Sequence, residues 1–138
     1  MSLRKKIGYL YTDGGARGNP GPAAIGGELY DGTQRKIASF SEYIGATTNN
    51  IAEYTALMRG MTLAHASHIT HLTCYLDSEL VVRQMNFEYK VKNKELALLF
   101  AKLHVLRSSF AAVSLRHIPR ERNRRADALV NAALDMKK

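Results

Sequence analysis

The sequence predicts an α/β domain in which a mixed five-stranded sheet is flanked by helices. Three observations carry that reading. Segments rich in strand formers alternate with segments of helical periodicity. The first three strand segments follow one another through short turns, which favours antiparallel pairing. The two later strand segments each follow helical stretches, which favours right-handed crossovers and parallel addition. A length of 138 residues suits a single domain, 1–138, able to bury a core without disulfides.

Residues 7–13, Ile-Gly-Tyr-Leu-Tyr-Thr-Asp, read as a strand stopped by Gly14-Gly15. Residues 16–22 hold three glycines and prolines in succession after Asn19 and read as a loop. Residues 23–30 and 36–44 read as the second and third strands, joined through an Asp31-Gly32 turn. Asn49 or Asn50 can cap a helix that runs to about His65. Residues 72–76 form a short buried strand ending at Asp77. Residues 78–86 follow as a short helix, and residues 94–109 as a longer one with Leu96, Leu99, Phe100, Leu103 and Leu106 on one face. Residues 112–117 make the last strand, and a final helix runs from about Asn123 to Met136.

Twenty Lys+Arg against twelve Asp+Glu give a formal net charge of +8, which favours a polyanionic partner. The single cysteine, Cys74, excludes an internal disulfide and a thiolate zinc site, and its apolar surroundings suit an inert buried thiol. No stretch has the length of a membrane span and no apolar run follows the basic start as in a secretion signal, so a cytoplasmic, membrane-free chain is expected. The opening Met-Ser-Leu fits a cloning leader.

Against this basic background, Asp13, Glu53, Asp77 and Asp127 each stand at the edge of a different apolar segment. Each has an ordinary explanation: a turn aspartate, two acids in first helical turns, and a helix cap. Alternation, however, places Asp13 on the face of Ile7, Tyr9 and Tyr11. Glu53 shares a helical face with Leu57, Gly60, Met61 and Ala64, where a carboxylate needs a compensating partner. Asp77 follows a strand of the kind whose carboxyl end gathers active-site groups, and Asp127 shares its side with Val130 and Leu134. Together the four suit hard divalent cations. His65, His68, His71 and His104 lack ligand spacing.

The segments around these residues resemble the motifs of type 1 ribonucleases H. Tyr11-Thr12-Asp13-Gly14-Gly15-Ala16-Arg17-Gly18-Asn19-Pro20-Gly21-Pro22 is similar to the first motif, and Thr47-Thr48-Asn49-Asn50-Ile51-Ala52-Glu53-Tyr54-Thr55-Ala56-Leu57 to the second. Asp77-Ser78 and Arg125-Ala126-Asp127-Ala128-Leu129-Val130 resemble the third and fourth. The resemblance implies a ribonuclease H-like fold with strand order 3-2-1-4-5 and strand 2 antiparallel. It further implies an endoribonuclease that cuts the RNA strand of RNA–DNA hybrids with two Mg2+ ions, Mn2+ being able to substitute, and leaves 5′-phosphate and 3′-hydroxyl ends. Asp13, Glu53, Asp77 and Asp127 would then be the metal-binding, catalytic carboxylates. His117, ten residues before Asp127, would be the auxiliary catalytic group, with Arg120 or a neighbour as the alternative in an unfamiliar loop.

By the same resemblance Asn19, Asn49 and Asn50 contact the hybrid's minor groove, Thr48 and Asn93 grip a phosphate of the DNA strand, and Ser78 and Arg120 belong to the nucleic-acid face. Turn and cap duty is the ordinary alternative for several of them. Glu79 stands where many members have glutamine, residues 86–96 leave no room for a basic helical protrusion, and tryptophan is absent. Lys90, Lys92, Lys94 and the arginines at 116, 120, 122, 124 and 125 are the candidate substitutes for phosphate binding. A monomer is expected. The rival readings are a hybrid-binding module without turnover, another nuclease or strand-transfer enzyme of the same architecture, and a basic structural protein.

Overall fold

The computed structural model describes residues 4–137; the opening Met-Ser-Leu lies outside them. Its elements are β1 (Ile7–Ala16), β2 (Gly21–Asp31), β3 (Lys36–Thr47), α1 (Asn49–Ala66), β4 (His71–Leu76), α2 (Glu79–Met85), α3 (Lys94–Arg107), β5 (Ala112–His117), a 3-10 turn at Arg120–Arg122 and α4 (Arg124–Met136). The strands form one sheet in the order β3-β2-β1-β4-β5. β1 pairs antiparallel with β2, from Gly8 opposite Asp31 to Ala16 opposite Ala23, and parallel with β4, from Ile7 beside His71 to Tyr11 beside Tyr75. β4 and β5 are also parallel, so three strands point their carboxyl ends the same way. Among the described residues no helix is long and apolar enough to cross a membrane.

The two faces of the sheet are covered differently. On one, α1 lays Tyr54, Leu57, Met61 and Ala64 over Leu10, Leu72, Cys74 and Leu76, while α2 and α3 close the cluster with Val81, Met85, Leu96 and Leu103. Each such buried aliphatic side chain contributes about 2 kcal/mol relative to exposure. On the other face, α4 sets Val130 and Leu134 against Ala24. Gly26 permits that approach, since a Cβ there would stand 2.7 Å from Leu129 Cβ.

Three local expectations are corrected. β1 does not stop at Asp13 but runs on to Ala16, because Gly14 serves a close helix approach: a Cβ on it would stand 2.2 Å from the Ala52 carbonyl oxygen. The loop expected over residues 16–22 is correspondingly shorter, and Arg17 N–H bonds the Pro22 carbonyl across it at 2.8 Å. The cap of α1 is Thr48, whose hydroxyl accepts from Ile51 N–H, so neither Asn49 nor Asn50 is spent on capping. The cap of α2 is Ser78, which frees Asp77 from that duty.

Candidate active site

Asp13 comes from β1, Glu53 from the first turns of α1, and Asp77 from the residue after β4. The approach allowed by Gly14 brings α1 down onto β1, and Gly14 N–H points at both Asp13 Oδ1 (3.0 Å) and Glu53 Oε1 (3.3 Å). One carboxylate oxygen from each of Asp13, Glu53 and Asp77 lies within 4.8 Å of the others. Asp13 and Glu53 are only 7% and 6% exposed, and among the described residues neither forms an ion pair. Two buried acids without a cationic side chain are costly as anions.

Their proton affinities follow. Burial, then the charge of Asp77, pushes the Asp13 carboxyl up to about 7, Asp127 acts in the same direction, and a hydrogen bond with Glu53 offsets part of the rise. Burial and the charge of Asp13 hold Glu53 well above the ordinary carboxylate range. Without a cation both acids hold protons more strongly than ordinary carboxylates; a divalent cation would compete with those protons. An all-oxygen, partly buried donor set of this kind fits a hard ion such as magnesium.

Asp127 lies in the first turn of α4, half-buried and outside the tight trio, but close enough to Asp13 to raise its proton affinity. The structure adds a residue that the sequence marks only as a helix start. Asn123 is 1% exposed, and its Nδ2 donates to the Thr12 carbonyl (2.9 Å) and to Asp77 Oδ2 (3.1 Å). It thereby ties the chain before α4 to both β1 and Asp77. No local signal marks a contact across 111 residues; an asparagine at a helix boundary is satisfied, on paper, by capping.

The expected nucleic-acid residues fall into two groups. Asn19 and Asn49 brace the β1–β2 loop against α1: Asn49 N–H donates to Asn19 Oδ1, and Ala16 N–H to Asn49 Oδ1, each at 2.9 Å. Asn50 is the next residue of α1, and Thr48 its cap. Ser78 adjoins Asp77 directly. Asn93 stands apart as the cap of α3, accepting from Leu96 N–H at 3.0 Å. His117 is exposed at the end of β5, opposite Leu76 in the register and therefore one strand over from Asp77. Arg120 is exposed in the 3-10 turn that leads to Asn123. Cys74 is buried and its thiol pushed up to about 12 by that burial, so it offers no nucleophile.

A family model described as reverse transcriptase-like matches residues 11–133. A bifunctional protein of Mycobacterium tuberculosis is 40% identical over 127 residues, 91% of this chain but 35% of its own length. The N-terminal RNase H domain of that protein, solved as a fusion with maltose-binding protein, superposes with a TM-score of 0.91 at 38% identity, over 94% of this chain and 99% of the other. Ribonuclease HI of Halobacterium salinarum is 38% identical over 127 residues, 92% of this chain and 64% of the relative. LC11-RNase H1, isolated from compost and solved in complex with an RNA/DNA hybrid, superposes with a TM-score of 0.85 at 46% identity, over 95% and 97% of the two chains. The chain thus spans about a third of the mycobacterial protein's length, 35%, and 64% of the halobacterial one.

Proposed function

The chain belongs to the reverse transcriptase-like family of ribonuclease H-type domains, and from that membership we propose that it is an endoribonuclease hydrolysing the RNA strand of RNA–DNA hybrids. The observation that carries the reading is the convergence of Asp13, Glu53 and Asp77, two of them buried and without a cationic partner among the described residues, in a chain of net charge +8. In this reading residues 1–138 act as one ribonuclease H domain, monomeric and cytoplasmic.

Asp13, Glu53, Asp77 and Asp127 hold two Mg2+ ions, for which Mn2+ can substitute. When bound, such ions supply Lewis acidity toward a phosphodiester and lower the pKa of an attacking water. The protein's part is to fix the donors. Gly14 N–H aligns Asp13 and Glu53, and Asn123 holds Asp77 beside Thr12 of β1. His117 is the auxiliary group, an imidazole at the end of β5 able to take up or deliver a proton as the product leaves. Asn19, Asn49 and Asn50 present amide groups beside the site, able to donate to and accept from 2′-hydroxyls and thus to favour RNA over DNA. Thr48 and Asn93 receive a phosphate of the DNA strand, while Ser78 and Arg120 complete the contact face. Products carry 5′-phosphate and 3′-hydroxyl ends.

The test is cleavage of labelled hybrid, duplex DNA and duplex RNA of one sequence, with magnesium, with manganese and with chelator. Metal-dependent cutting confined to the RNA strand of the hybrid is expected. Equal cutting of all three duplexes, or full activity in chelator, would overturn the assignment.

A further inference from the structure

The face of the sheet opposite α1 is only partly covered by α4, and what it leaves open is aromatic. Tyr11 stacks on Tyr75 at a centroid distance of 4.8 Å and meets Tyr30 edge-on at 6.0 Å. The register explains the array: Tyr75 is the partner of Tyr11 across β1–β4, and Tyr30 that of Tyr9 across β1–β2, so all four tyrosines share one face. Between Tyr11, Tyr30 and the start of α4 lies a cavity of about 460 Å³.

Its far wall is cationic. Arg122, Arg124 and Arg125 line it, with Glu28 and Glu121 as its acids. Glu28 is engaged, accepting from Arg125 at 2.6 and 3.2 Å and from Tyr30 at 2.6 Å. Among the described residues Arg122 and Arg124 form no ion pair. Gln34, on the β2–β3 turn, brings an amide to the rim. Asn123, which holds Asp77, also lines the cavity, and Tyr11 precedes Asp13 by two residues of strand, about 7 Å.

We propose that this cavity is a subsite for one unpaired nucleotide of a strand that continues beyond the paired hybrid. The chemistry matches part by part. Tyrosine faces and edges take a base without regard to its sequence. Unpaired guanidinium groups take the phosphate, and an amide can meet a base edge. Only an unstacked base can reach a tyrosine at the cavity wall. The inference rests on the hybrid reading above.

The test is fluorescence anisotropy in chelator, which prevents turnover. The probes are a blunt hybrid, the same hybrid with a short single-stranded RNA extension, and that hybrid with an abasic extension. The extension should tighten binding by about tenfold, the effect of about 1.4 kcal/mol expected of one stacked base, and the abasic extension should lose most of that gain. Tyr11→Leu and Arg122→Ala should each bring the ratio of extended to blunt affinity toward one, while Tyr11→Phe keeps it. A ratio below about two for the unaltered protein, an equal gain from the abasic extension, or an unchanged ratio in Tyr11→Leu would overturn the subsite. So would adenosine monophosphate binding as tightly as the extended hybrid, which would make the cavity a site for free nucleotide. A blunt hybrid that is bound in chelator and cut once magnesium is restored, with no gain from the extension, sinks the subsite alone. A blunt hybrid neither bound nor cut sinks the hybrid reading, and the single strand alone then decides the subsite by whether Tyr11→Leu weakens it.

Discussion

Replacing Asp13 by asparagine should abolish cleavage and, in the metal-free protein, raise stability. Burial and the Asp77 charge put the Asp13 carboxyl at about 7 against an ordinary 3.8. A gap of about three pH units corresponds to about 4 kcal/mol of penalty on the ionised form. Because Glu53 and Asp13 act on each other, about 2–4 kcal/mol is the expected gain when an amide replaces the carboxylate. The sign fixes a pH window. Below about pH 4 folded and unfolded states are both protonated, and Asp13→Asn changes little. Between pH 4 and 7 the unfolded chain ionises while the folded one stays protonated, so the native protein loses stability that the variant keeps. Above about 7 the difference is complete. At about 3 °C per kcal/mol for a domain of this size, the variant should melt about 6–12 °C higher in chelator at pH 8 and within about 2 °C at pH 4. Saturating magnesium should narrow the gap by stabilising only the native site. A variant that melts lower than the native protein at pH 8, or a gap independent of pH, would refute the account of the carboxylate pair.

Four further outcomes are expected. Asn123→Ala removes the donor to Thr12 and Asp77 and leaves a buried carbonyl unpaired, so denaturant unfolding should show a loss of about 1–3 kcal/mol together with a lower kcat; unchanged stability and rate would remove it from the site. Gly14→Ala drives a methyl to 2.2 Å from the Ala52 carbonyl oxygen, so α1 must lift and magnesium affinity, measured by titration calorimetry, should fall about tenfold or more; unaltered affinity would contradict the close-approach argument. Burial raises the Glu28 carboxyl, but hydrogen bonds from Arg125, Tyr30 and Lys36 outweigh it and hold it below its ordinary value. Glu28 therefore stabilises the fold above its unfolded pKa and ceases to as pH falls through the folded one, and Glu28→Gln should cost about 1 kcal/mol at pH 7 and progressively less as the solution is acidified, read by urea unfolding across an acid pH series. His117→Ala, an exposed change, should leave the melting temperature within about 2 °C while lowering kcat; a rate loss seen only in Arg120→Ala would transfer the auxiliary role.

Much of this architecture is legible from local pattern. The mixed character of the sheet follows from the early hairpin turn and two helical crossovers, while the strand order is what the resemblance to ribonucleases H implies. The face of Asp13 follows from the alternation of Tyr9, Tyr11 and Asp13, and the inward position of Glu53 from Leu57, Gly60, Met61 and Ala64. What stays hidden is carried by tertiary approach. Gly14-Gly15 has the composition of a strand stop, yet β1 continues through it because a helix needs the missing Cβ. Thr48 takes the cap that Asn49 and Asn50 were equally suited to, and that choice leaves Asn49 to bind Ala16. Asn123 reads as a helix boundary until the fold carries it to Thr12 and Asp77. The tyrosine face is invisible for a similar reason: its members lie on three strands, and only the register brings Tyr11, Tyr30 and Tyr75 together.

The central claim is metal-dependent hydrolysis of the RNA strand at the Asp13–Glu53–Asp77 cluster. Its most direct test is end-group analysis of a hybrid labelled on both strands, cut by the native protein and by Asp13→Asn in magnesium. The account predicts RNA fragments with 5′-phosphate and 3′-hydroxyl ends, an intact DNA strand, and no products from the variant. Cyclic 2′,3′-phosphate ends, a cut DNA strand, or undiminished cleavage by Asp13→Asn would contradict it.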